Sequence, residues 1–175
     1  RRFKTKLIAM GMCGYDRVLI EPSGIFDMDE FFDALHEEPL DRWYQIGNVI
    51  AVVDAGLDEK MSEEADYILA SEVADAGCIV LSKTQEASEK YIENTVKHLN
   101  RALEAVHCKR KFGEDEIIRK DWEQFETEDF ERILNSGYIA EDYEKMSLDE
   151  KEVFKSLYFM DLEISGEELR DAAQK

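Results

Sequence analysis

One run constrains this chain more than any other: Asn48-Val49-Ile50-Ala51-Val52-Val53-Asp54. It is continuously apolar and rich in β-branched residues, the pattern of a strand buried on both faces of a parallel sheet. Arg17-Val18-Leu19-Ile20 and Cys78-Ile79-Val80-Leu81 are shorter runs of similar character. Around them the apolar period becomes helical. Phe3, Leu7, Ile8 and Met12 keep helical spacing until Gly11 and Gly14 break it. Asp27 or Asp29 can cap a helix through Phe31, Phe32 and Leu35. Ser62 can cap the next, through Ile68, Leu69 and Val73, with Gly77 to end it. Ile92, Val96, Leu99, Leu103 and Val106 line one stripe of a long helix. Residues 108–112 read as a fourth, more polar edge strand. The order is β-α-β-α-β-α-β, which implies an α/β fold: a parallel sheet with right-handed crossovers, flanked by helices.

After Gly113 the pattern changes, so an α/β domain over residues 1–112 and a helical acidic extension over 113–175 are expected. Thr127 opens a short helix that Gly137 can close. Ser147-Leu148-Asp149-Glu150 and Ser165-Gly166-Glu167-Glu168 are capping boxes of two more. This extension either packs on the core or serves a partner. The acidic run Glu114-Asp115-Glu116 reads as a solvated helix start. Trp43-Tyr44, and Trp122 with Phe125, read as packing residues, and His36 and His98 as surface residues. His107 and Cys108 would point to opposite faces of a strand and not share a metal.

Charge narrows the partners. The chain has 22 Lys+Arg against 41 Asp+Glu, a net −19. That excludes sequence-independent nucleic-acid binding, which needs cations to neutralise phosphates. It also excludes an anionic membrane surface. No run approaches the roughly 20 apolar residues of a membrane span, and no signal peptide is visible. Cys13, Cys78 and Cys108 are odd in number and far apart, which fits a reducing, cytoplasmic setting better than a disulfide framework. The sequence starts at Arg1, inside a helical pattern, and is expected to be a piece of a longer protein.

Ligands of parallel α/β sheets bind at the carboxyl ends of the strands. Those positions carry Glu21-Pro22-Ser23-Gly24, Asp54-Ala55 and Ser82-Lys83-Thr84-Gln85. Singly, these read as a strand-to-loop transition, a turn or cap, and a solvated loop. An acid ending a buried strand can also hold the water shell of Mg²⁺, and a glycine three residues on lets its N–H approach a phosphate oxygen.

Taken together, the segments 16–25, 49–55 and 71–84 resemble the CobW/UreG/HypB-type P-loop GTPases, especially the CobW-like branch. The strand ending in Glu-Pro-Ser-Gly, followed by the Val-Val-Asp-Ala strand, carries most of the resemblance, which covers residues 15–112. It implies Mg²⁺ and GTP as ligands, with Glu21 acting on Mg²⁺ through water and Gly24 facing the γ-phosphate. Lys83 would lie against base and ribose, with Ser82 and Gln85 beside it. These two stand where the family usually has Asn and Asp. Glutamine has one carbonyl acceptor and cannot replace a two-acceptor carboxylate facing guanine. No G-x-x-x-x-G-K-[ST] occurs in the 175 residues, and no Cys-x-Cys-Cys that would take zinc or a transition metal.

The resemblance implies a GTP-binding domain of a metal chaperone or metallocofactor-insertion GTPase, catalytically incomplete in these residues, with a metalloprotein client. The alternative is a degenerate, non-hydrolysing scaffold that binds a protein partner. Without a phosphate-loop strand the sheet would leave an edge open. Self-association, or a separately bound N-terminal segment, is expected to cover it.

Overall fold

The structure is a computed structural model that describes residues 2–22, 28–145, 165, 166 and 170. Helix α1 (Arg2–Met12) stops before Gly14, whose positive φ of 71° suits a residue without Cβ. Helix α2 (Met28–His36) and the turn α3 (Leu40–Trp43) follow. Leu7, Leu35 and Leu40 form a small apolar cluster among these three, joined by Phe3, Phe31 and Tyr44. The Tyr44 hydroxyl donates to the Leu7 carbonyl at 2.7 Å, which fastens the α3 end to α1.

The larger core lies around a three-stranded parallel sheet in the order β1-β2-β3. Strand β1 (Ile50–Asp54) pairs in parallel with β2 (Cys78–Ser82), Ile50 opposite Cys78 and Asp54 opposite Ser82. Strand β3 (Ile117–Ile118) pairs with β2 through Ile79 and Val80. Helix α4 (Glu63–Val73) is capped by Ser62, whose Oγ accepts from the Ala65 N–H at 3.2 Å. Helix α5 (Glu89–Ala105) buries Ile92, Leu99 and Leu103 on its apolar stripe. It ends in a left-handed His107 (φ 58°). The Cys108 N–H donates to Leu103 and the His107 N–H to Glu104, the paired bonds of a Schellman cap. Helix α6 (Thr127–Leu134) follows, with Gly137 beyond it at φ 66°. The fold class and the parallel strands are as the sequence implied.

Several expectations need correction. Residues 17–20 form no strand among the described residues, and Leu19 is 89% exposed. A parallel strand forms only beside a partner, and among the described residues no strand pairs with this stretch. Strand β1 is buried on one face only: Ala51 and Val53 point into the core, while Val52 is 69% exposed. Helices α1 to α3 bury their apolar residues in their own cluster around Leu7, Leu35 and Leu40. Residues 108–112 are irregular, and the third strand is Ile117–Ile118. The Phe112 N–H is taken by the Asn100 side chain at 2.8 Å, and the buried Arg110 reaches the Ala74 carbonyl and Glu116, so this stretch is tied elsewhere than to the sheet.

Gly77 does not end α4, which finishes at Val73. It lies against residues 136–137, where a Cβ would stand 2.3 Å from the Gly137 carbonyl oxygen. His98 is buried, not a surface residue. Trp122 is largely exposed, not packed. The capping box at 147–150 lies outside the described residues, as does most of that at 165–168. Asp27 lies outside them too, and Asp29 is inside α2 rather than capping it. Among the described residues no helix is long and apolar enough to cross a membrane.

Candidate functional site

The carboxyl ends of β1 and β2 meet in one ion pair. Asp54 ends β1, and its Oδ1 accepts from the Gly56 N–H at 2.8 Å, folding the chain into a tight turn. Its Oδ2 accepts from Lys83 Nζ at 2.5 Å. Lys83 follows β2 in a left-handed conformation (φ 56°), uncommon for a residue with a Cβ. The Lys83 hydrogen bond and the Gly56 N–H hold the Asp54 carboxyl below its ordinary range, and Asp54 holds the Lys83 ammonium above its own. Ser82 is half-buried, its hydroxyl 3.4 Å from the Val53 carbonyl. The Ala55 N–H donates to the Ser82 carbonyl at 2.9 Å, so the two strand ends are stitched together.

Beyond this pair, at the ends of β2 and β3, opens a cleft of about 630 Å³. Thr84 and Gln85 line it from the β2 side, and Arg119 and Lys120 from the β3 side. Helix α6 adds Asp129 and Arg132. Lys120 Nζ lies 2.8 Å from Asp129 and 3.3 Å from Glu126. Its bond to Asp129 raises the Lys120 ammonium and lowers the Asp129 carboxyl. Arg132 donates to the carbonyls of Glu114, Asp115 and Ile117.

The loop after β1 is gripped by the polar side of α5. Thr95 Oγ1 donates to the Ala55 carbonyl at 2.8 Å. His98 is 2% exposed, with Nδ1 2.8 Å from the Asp58 carbonyl and Nε2 2.5 Å from Asp66. Arg101 donates to the Glu59 carbonyl at 2.8 Å.

Of the site residues expected from the sequence, Ser82, Lys83 and Gln85 follow one another on the β2 loop, and Gln85 faces the cleft. Glu21 is exposed, and no hydrogen bond or ion pair among the described residues ties it to that loop. Gly24 lies outside the described residues. Arg119 and Lys120 also line the cleft, although they lie outside every motif of the sequence. Their signal is the β-branched pair Ile117-Ile118 just before them, too short for a strand pattern to register. Cys78 and Cys108 are buried and unpaired, and burial pushes both thiols up. Among the described residues no group of three His, Cys, Asp or Glu side chains could hold a metal ion. The described residues do not by themselves make a Mg²⁺ site.

A parallel sheet that brings a lysine loop and a polar cleft to the carboxyl ends of adjacent strands has the architecture of an α/β ligand-binding domain and is consistent with the P-loop NTPase type. The family model described as CobW/HypB/UreG, nucleotide-binding domain, matches residues 4–113, more than half of the 175-residue chain. The chain belongs to this family. No curated protein matches it, and no solved structure does.

Proposed function

We propose that this chain binds a guanine nucleotide in the cleft at the ends of β2 and β3, as part of a CobW-like metal chaperone or metallocofactor-insertion GTPase. The observation that carries the reading is that cleft: in a chain of this family, Gln85 and Lys120 face it from two adjacent strand ends. The Lys83 stem would lie along base and ribose, with Asp54 fixing its ammonium. Ser82 and Gln85 would hold the base end. Glu21 and Gly24 belong to the phosphate end, with Mg²⁺ near Glu21, supported by the Glu21-Pro22-Ser23-Gly24 sequence alone. These 175 residues contain no G-x-x-x-x-G-K-[ST], the phosphate loop on which hydrolysis by such a domain would rest. A metalloprotein client and a cytoplasmic setting complete the proposal, supported by the resemblance to the CobW-like branch and by three unpaired cysteines.

Thermal unfolding with GDP and GTP, with and without Mg²⁺, tests it. A ligand at a hundredfold excess over its dissociation constant stabilises the folded state by about 2.7 kcal/mol. The expected result is a clear rise in melting temperature that Lys83→Ala diminishes. A flat response to both nucleotides would overturn the reading. It would favour the non-hydrolysing scaffold, whose own support is the bare apolar face of β1 around Val52.

A further inference from the structure

The cleft contains three cations of unequal standing. Lys120 is shared between two carboxylates, and Arg132 is spent on backbone carbonyls. Arg119 is half-buried between Ile118 and Lys120 and makes no hydrogen bond or ion pair among the described residues. In a chain of net charge −19, and in a cleft that Glu89, Asp121 and Asp129 also line, a half-buried guanidinium that makes no ion pair among the described residues stands out. Its planar fork presents paired donors and no acceptor.

Gln85 shares this cleft. Its carboxamide offers one acceptor and one donor group. Such a group pairs with O6 and N1–H of a 6-oxopurine, and equally, turned over, with N1 and the 6-amino group of adenine. Gln85 alone therefore cannot choose between them. Arg119 can, because donors facing the base favour two adjacent acceptors. Guanine, hypoxanthine and xanthine present O6 beside N7, whereas adenine presents N7 beside an amino donor. The substituent at position 2 goes unread by a carboxylate at Gln85's place, because none is there.

We infer that Arg119 is the specificity-determining residue of this cleft and selects 6-oxopurine nucleotides as a class, without requiring the 2-amino group of guanine. The inference rests on the nucleotide-binding reading and sharpens it. Arg119 lies beyond residue 113, the end of the family match, so this selectivity belongs to this chain's own β3 segment.

Calorimetric titration of the chain with the 5′-diphosphates of guanosine, inosine, xanthosine and adenosine tests it. The first three are expected to bind alike, and adenosine diphosphate about tenfold more weakly or worse, the loss typical of a missed bidentate contact. Arg119→Ala and Arg119→Lys should each shrink that ratio, with far-UV circular dichroism confirming the fold. Gln85→Asp should create a preference for guanosine over inosine. Equal binding of all four, guanosine well ahead of inosine in the unaltered chain, or a ratio indifferent to Arg119 would each overturn this inference while leaving nucleotide binding standing. Binding of none would overturn both.

Discussion

His98 and Thr95 show how much a single buried polar side chain organises here. Each satisfies a backbone carbonyl of the loop after β1, and His98 also meets Asp66. Removing a buried partner strands the group it served. His98→Ala should therefore cost about 2–3 kcal/mol, the stranded acceptors adding to the cavity. Thr95→Val, which keeps the shape, should cost about 1 kcal/mol. Urea unfolding of the two variants checks both figures. The Asp54 carboxyl, held low mainly by Lys83, makes a pH-dependent contribution. Its folded value lies below its unfolded one, so the stabilisation is complete above the unfolded carboxylate range. It is lost as pH falls through the lowered folded value. The acid limb of a stability-against-pH curve should flatten in Asp54→Asn. None of these pairings had a local signature in the sequence. The Asp54–Lys83 partners are 29 residues apart, and those of His98 and Asp58 are 40 apart. A histidine among polar neighbours on a helix looks like a surface residue until the loop that covers it is known.

At the scale of the elements, β1 gives the sharpest contrast. Val52 and Val53 are adjacent and identical in type, yet one is 69% exposed and the other 6%. Val53→Ala should destabilise by about 2 kcal/mol through transfer and cavity terms. Val52→Thr should change stability by no more than about 0.5 kcal/mol. A run of unbroken apolar residues could not reveal this, because coverage of the second face depends on helices packed far along the chain. The helices were more legible: Ser62 capped α4 as expected, and the Ile92–Val106 stripe became the buried side of α5. Caps and stripes are local features, whereas strand pairing is not. Hence residues 17–20 and 108–112, read as strands from the sequence, pair with no strand among the described residues, and Ile117–Ile118 takes the third place in the sheet. Gly77 has a comparable lesson. Its Cβ would meet backbone, which cannot swing aside, so Gly77→Ala should cost about 1–3 kcal/mol in the same unfolding assay.

For the whole molecule the governing quantity is the net charge of −19. Like charges repel one another more in the compact state than in the expanded one. Raising salt from about 10 mM to about 150 mM shortens the screening length from about 30 Å to about 8 Å. The melting temperature should rise over that interval, against the modest loss that screening of the exposed Lys83–Asp54 pair would bring. A fall would mean that local ion pairs outweigh the global field. Charge, α/β class and the strand ends that carry the candidate site were all readable from residues in order. The cleft was not, since its second wall comes from β3 and α6, beyond the region that the motifs cover. The polar grip of α5 on the loop after β1 has a consequence in time. The loop leaves the ribosome about 40 residues before Thr95 and His98 do. At the usual 5–20 residues per second, the nascent loop waits roughly 2–8 s for its clasp. Until then the Ala55 and Asp58 carbonyls lack these two partners, so the carboxyl end of β1 is completed late in the growing chain.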